Sequence, residues 1–102
     1  MLPLDPSPRF SLGEIILTEG ASSKLLQTEI ESGLHRHATG DWGEIDTECR
    51  QQNNKRVESG GTLASIYRTA AGVKFYIITE SERSVTNVEL HISRIMLSLQ
   101  KC

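Results

Sequence analysis

The stretch Val73-Lys74-Phe75-Tyr76-Ile77-Ile78-Thr79 decides the fold. Successive side chains of an extended chain point to opposite faces. Val73, Phe75 and Ile77 therefore share one face, and Tyr76 and Ile78 share the other. A strand apolar on both faces needs cover on both. Just upstream, Thr69-Ala70-Ala71-Gly72 reads as a hairpin loop, which makes residues 62–68 an antiparallel partner despite their looser alternation. Downstream, Glu80-Ser81-Glu82-Arg83-Ser84 reads as a second turn, and residues 85–91 as a third strand in which Val88 and Leu90 alternate. These strands predict an antiparallel meander.

Working towards the N-terminus, the period changes. Leu26, Ile30 and Leu34 recur at helical spacing, and Leu25 widens the stripe, which predicts one helix over residues 21–37. Gly20 or Ser22 suits its start, and Gly40 its end. Gly33 inside it costs about 1 kcal/mol relative to alanine. Ile15-Ile16-Leu17, ahead of Gly20, predicts a short first strand free to join the sheet as a fourth. Residues 47–58 predict a polar helix, capped by Asp46 and stopped before Gly60-Gly61. Its apolar stripe of Ile45, Cys49 and Val57 is thin, so few contacts are expected to hold it.

The chain thus divides into a flexible arm over residues 1–9 (Pro3, Pro6 and Pro8), a single domain over 10–90 and a variable tail over 91–102. In the tail, Ile92, Ile95, Met96 and Leu99 have helical spacing, though the same stretch suits a prolonged strand. The fold class is α+β: a short N-terminal strand, two helices, and a three-stranded antiparallel meander. With the helices on one face, Tyr76 and Ile78 on the other call for the tail or a second subunit, which predicts a homodimer.

Charge narrows the partners. Eleven basic against thirteen acidic residues in 102 give a net charge of −2, which excludes a general basic field for phosphates. Nucleic-acid binding is left only the local patch of Arg50, Lys55 and Arg56, which reads better as a solvated face. No run approaches the ~18–20 apolar residues of a membrane span. The opening MLPLDPSPRF holds an acid and three prolines, unlike a signal peptide, so the chain reads as cytoplasmic. Cys49 and Cys102 are too few for a disulfide framework and fit no zinc spacing.

Two segments carry a resemblance: Arg36-His37-Ala38-Thr39-Gly40-Asp41-Trp42-Gly43-Glu44 and Ile78-Thr79-Glu80-Ser81-Glu82-Arg83-Ser84-Val85-Thr86. Together they resemble a family of short bacterial proteins carried on plasmids and other mobile elements, over residues 10–88. Its pattern is R-H-x-x-G-D-W-G, a polar helix, then I-T-E-x-x-R-S-V-T. The resemblance implies no particular activity. The stretch from residue 89 onward departs from the family's pattern.

Chemistry-bearing groups cluster in these segments. His35, His37 and Asp41 suggest a metal site, but residues two apart on a helix diverge by about 200°. Trp42, the single tryptophan, either locks the loop onto the sheet or stands exposed as an interaction anchor. The first is favoured. Arg83 can fork onto Asp41 or Glu44, or form a local pair with Glu80. No G-x-S-x-G elbow, phosphate-cradling loop or cofactor motif occurs. The expected function is a small non-enzymatic binding protein that uses His37, Asp41, Trp42, Glu44, Glu80 and Arg83 towards a protein partner. The alternatives are a metal-dependent hydrolase built on His35, His37 and Asp41, and a nucleic-acid accessory protein using the basic patch. The shared surface requires the two segments to meet in space.

Overall fold

Strands form where the alternation places them. In the computed structural model, which describes residues 7–90, they are β1 (Glu14–Leu17), β2 (Leu63–Arg68), β3 (Lys74–Thr79) and β4 (Val85–Glu89). β2, β3 and β4 run antiparallel in sequence order, as the meander requires. β1 adds to the far side of β4 and runs parallel to it, so the sheet is mixed, with order β1-β4-β3-β2.

Among the described residues, three helices occur rather than two. The stretch expected as one helix splits into α1 (Glu19–Lys24) and α2 (Gln27–Ala38), with Leu25 and Leu26 extended between them. Both new ends are satisfied locally. Thr18 Oγ1 accepts the Ala21 amide at the start of α1, and the Glu29 carboxylate accepts the Leu26 amide at the start of α2. The break turns Leu25 into the core and leaves Leu26 exposed. A continuous helix would have put these neighbours only about 100° apart. α3 (Thr47–Ser59) is capped as expected, with Asp46 Oδ1 accepting the Cys49 amide and Gly60 following its last turn.

α1 and α2 lie on one face of the sheet, where Ala21, Leu25 and Ile30 pack with Tyr67, Phe75, Ile77 and Val88. Gly33 explains how closely α2 approaches. A Cβ there would sit 3.0 Å from Phe75 Cε2 and 3.1 Å from Ile77 Cδ1, so the intrinsic helix penalty is the cost of close packing. The opposite face holds Ala64, Tyr76 and Ile78, with Ile66 against them. Tyr76 is 6% and Ile78 2% exposed within the single chain. The argument for a dimer from an uncovered second face therefore fails.

A side-chain amide ties α3 to β2. Asn53 is buried and its Nδ2 donates to the Ala64 carbonyl at 2.9 Å. Arg9, expected in the flexible arm, belongs to the fold: its amide donates to the Ala38 carbonyl and its guanidinium to Asn54 Oδ1. The expected alternatives for residues 91–102, helix or strand, lie outside the described residues. No described helix is long and apolar enough to cross a membrane.

Candidate functional site

The first signature segment is a helix stop followed by a tight return. Gly40, at φ +89°, lets the Asp41 amide reach the Arg36 carbonyl and its own amide reach that of His37, closing the last turn of α2. Asp41 Oδ1 then accepts the Gly43 amide. Beyond it the chain meets β2: the Ile66 amide donates to the Trp42 carbonyl, and the Glu44 amide to the Ile66 carbonyl. Gly43 must be glycine there. Its φ is +78°, and a Cβ would stand 2.0 Å from the Ile66 carbonyl oxygen.

His37 projects from α2 into the sheet and is fully buried. Its surroundings assign its tautomer. The Thr86 hydroxyl donates to the Leu12 carbonyl at 2.6 Å, so its oxygen accepts from the Thr79 hydroxyl at 2.7 Å. Thr79 Oγ1 then accepts from His37 Nε2–H at 2.8 Å, and Nδ1 accepts from the Ser65 hydroxyl at 2.5 Å. This closed chain ties α2, β2, β3, β4 and the segment before β1 together.

Trp42 is 3% exposed and packs within an aromatic group. Phe10 stacks on it at 6.0 Å, His37 meets it edge-on at 5.5 Å, and its Nε1 donates to Asn54 Oδ1 at 3.0 Å. Of the two readings of Trp42, the structure selects the lock. Arg83 lies across the same Phe10 ring, 5.6 Å from its centroid. The two signature segments do meet, through His37 and Thr79 directly and through Phe10 between Trp42 and Arg83.

Arg83 pairs with no carboxylate that the sequence suggested. Its guanidinium donates to the backbone carbonyls of Arg56, Gly61, Glu80 and Ser81, sealing the end of α3 against the β3–β4 turn. Its φ is +62°, an uncommon conformation for a side-chain-bearing residue, set by that turn. Glu80 contributes its backbone to the turn, and its side chain lines a separate cleft with Glu82 and Glu89. There, burial raises the Glu89 pKa.

What remains exposed is a row of charge along β2. Arg36 forks onto Asp41, with Nε to Oδ2 at 2.7 Å, and lies 4.5 Å over the Tyr67 ring. Arg68 forks onto Glu44 at 3.1 Å. Each arginine holds its carboxylate below the usual range. The Tyr67 hydroxyl donates to the Asp41 carbonyl, and burial pushes its pKa up. Beside this row a cleft of about 230 Å³ opens between α2 and the β2–β3 hairpin, lined by Thr28, Ser32, Arg36, Tyr67, Arg68 and Phe75.

Of the six expected surface residues, only Asp41 and Glu44 thus present side chains to this row. Arg36 and Arg68, missed from the sequence, complete it. Arg36 was legible as part of the signature. Arg68 was not, because nothing local to β2 announces a partner twenty-four residues upstream. The metal set is not assembled: His35 is exposed, His37 is buried, and both ring nitrogens of His37 are engaged. No group of three metal-binding side chains occurs among the described residues. In the basic patch, Arg50 stays exposed and donates to the carbonyls of Gly43 and Ile45.

Burial, with the Arg83 charge adding to it, pushes the His37 pKa from 6.5 down to about 3. The folded state therefore keeps His37 neutral while the unfolded state takes a proton below pH 6.5. Stability falls as pH drops from about 6.5 towards about 3, with a limiting slope of ~1.4 kcal/mol per pH unit. Urea denaturation at pH 7, 6 and 5 measures it. His37→Gln, which cannot take up the proton, flattens the slope in that window.

Comparison with protein-family models, with curated proteins and with solved structures returns no match to this chain.

Proposed function

We propose that the chain is a small non-enzymatic binding module of the mobile-element type that its motifs resemble, acting in the cytoplasm as a homodimer on a protein partner. The partner-binding surface is the charge row of Arg36, Asp41, Glu44 and Arg68 together with the adjoining cleft. One observation carries this reading: His37, the imidazole that meets hydroxyls, is buried with them, and both its ring nitrogens are taken by their bonds. Ser65, Thr79 and His37 are all 0% exposed, so no substrate reaches them as they stand. The groups left at the surface are paired charges around an aromatic floor, which suit recognition by complementary charge.

The test is capture of a partner from host lysate with the full chain. Glu44→Lys turns an attraction for Arg68 into a repulsion and reverses the charge offered to the partner. It is expected to weaken capture by about tenfold or more. Because both members of this pair are exposed, the melting temperature is expected to move little. Unchanged capture by a folded Glu44→Lys protein removes this surface from the proposal.

A further inference from the structure

The two edges of the sheet are finished differently. Along β2, the Ala64 carbonyl accepts from Asn53, and both backbone groups of Ile66 are taken by the Trp42–Glu44 segment. That edge is blocked. β1 is the other edge, and among the described residues it has no such device. Its register decides which groups face outward. The Glu14 amide donates to the Ser84 carbonyl and the Thr18 amide to the Val88 carbonyl. Residues 14, 16 and 18 thus turn their backbone groups towards β4, and the two-residue period turns those of Ile15 and Leu17 away. The side chains there are apolar on both faces: Ile15, Ile16 and Leu17 are 38%, 41% and 39% exposed.

We propose that β1 pairs with β1 of a second copy of this chain, antiparallel about a two-fold axis at Ile16, so that two four-stranded sheets become continuous. This inference rests on the homodimer reading above and names its interface. The occupant follows from the pattern of outward groups. Two outward residues flanking one inward residue form a self-complementary set. Ile15 exchanges both hydrogen bonds with the partner's Leu17, Leu17 does the same with the partner's Ile15, and Ile16 faces its own copy as a non-hydrogen-bonded pair. In this register Glu14 falls opposite the partner's Thr18, so no carboxylate faces another. Ile15 and Leu17 meet their counterparts on one face and Ile16 on the other, which covers all three apolar side chains at once. A four-residue strand buries less than the ~1,200 Å² of a standard interface, so association is weak and concentration-dependent.

Light scattering on the full chain between about 10 and about 500 µM is expected to show the mass rising towards twice that of the monomer. Ile15→Pro deletes one outward donor and leaves the bonds to β4 in place. Ile16→Lys sets two ammonium groups face to face at the axis. Each is expected to shift the midpoint concentration upward by about tenfold or more. Amide exchange on the unmodified chain gives an independent reading: the Ile15 and Leu17 amides gain protection as concentration rises, while the Ile16 amide is protected throughout. A dimer that persists in both folded variants, with Ile15 and Leu17 still exchanging freely, overturns this interface and leaves the homodimer reading standing. A monomeric mass at the top of the range overturns both.

Discussion

Trp42→Ala is expected to destabilise the protein by about 3–5 kcal/mol, the range for emptying a buried large aromatic site. Three groups lose their packing partner at once. Phe10 loses its stacked ring, His37 loses an edge contact, and Asn54 Oδ1 loses the indole donor while still holding Arg9. Phe10 matters most, because it stands between Trp42 and the Arg83 guanidinium. Once it can shift, the junction of the two signature segments loosens on both sides. A domain of this length is stable by ~5–15 kcal/mol, so the variant sits near its unfolding midpoint under mild conditions. Urea denaturation followed by far-ultraviolet circular dichroism measures the loss. Trp42→Phe, which keeps a ring but no donor, falls between. A cost below about 1 kcal/mol for the alanine variant contradicts the placement of Trp42 in the core.

Gly43→Ala is expected to cost about 3–4 kcal/mol, although it adds a single methyl group. Left-handed backbone costs a side-chain-bearing residue roughly 1–2 kcal/mol. The larger part comes from the neighbour. The new Cβ meets the Ile66 carbonyl oxygen, which belongs to a strand and cannot rotate away. Relief requires moving the loop, which breaks the bonds from Glu44 to Ile66 and from Ile66 to Trp42, each worth about 1 kcal/mol. Gly72→Ala is the control. Its φ is +87°, yet nothing lies within 4 Å of its Cβ position. It is expected to cost about 1–2 kcal/mol, the backbone share alone. The two variants, compared by chemical denaturation, separate conformational strain from steric contact. Equal costs contradict the close approach at Gly43.

The order and type of most elements were legible in the sequence, because period and punctuation agree there. Phe75 and Ile77 alternate with Tyr76 and Ile78, and Gly72 and Gly60-Gly61 end what precedes them. The helix break at Leu25–Leu26 was not legible. The apolar stripe runs through it unbroken, and only tertiary contact decides that Leu25 turns inward while Leu26 does not. The parallel pairing of β1 with β4 was equally hidden, since nothing in Ile15-Ile16-Leu17 says which strand it meets. Within the site, the sequence grouped the right segments but misassigned the chemistry. Arg83 looks like a carboxylate partner because charge is visible in a sequence. The backbone carbonyls of a helix end and the loop beyond it are not, and these are what it binds. In the same way, Asn53 and Asn54 look in the sequence like part of a solvated helix, whereas they anchor α3 to β2 and to Trp42.

The parallel pairing of β1 with β4 bears on how the chain is made. β1 and the segment before it depend on residues far along the chain, as in the bond from Thr86 to the carbonyl of Leu12, seventy-four positions apart. During synthesis β1 emerges before β4 and has no place in the sheet until β4 has followed it. Ile15, Ile16 and Leu17 stay bare through that interval, and ordering them requires closing nearly the whole described chain into one loop. The newborn protein is therefore exposed to aggregation at β1 until β4 has been made, and the sheet is completed only then.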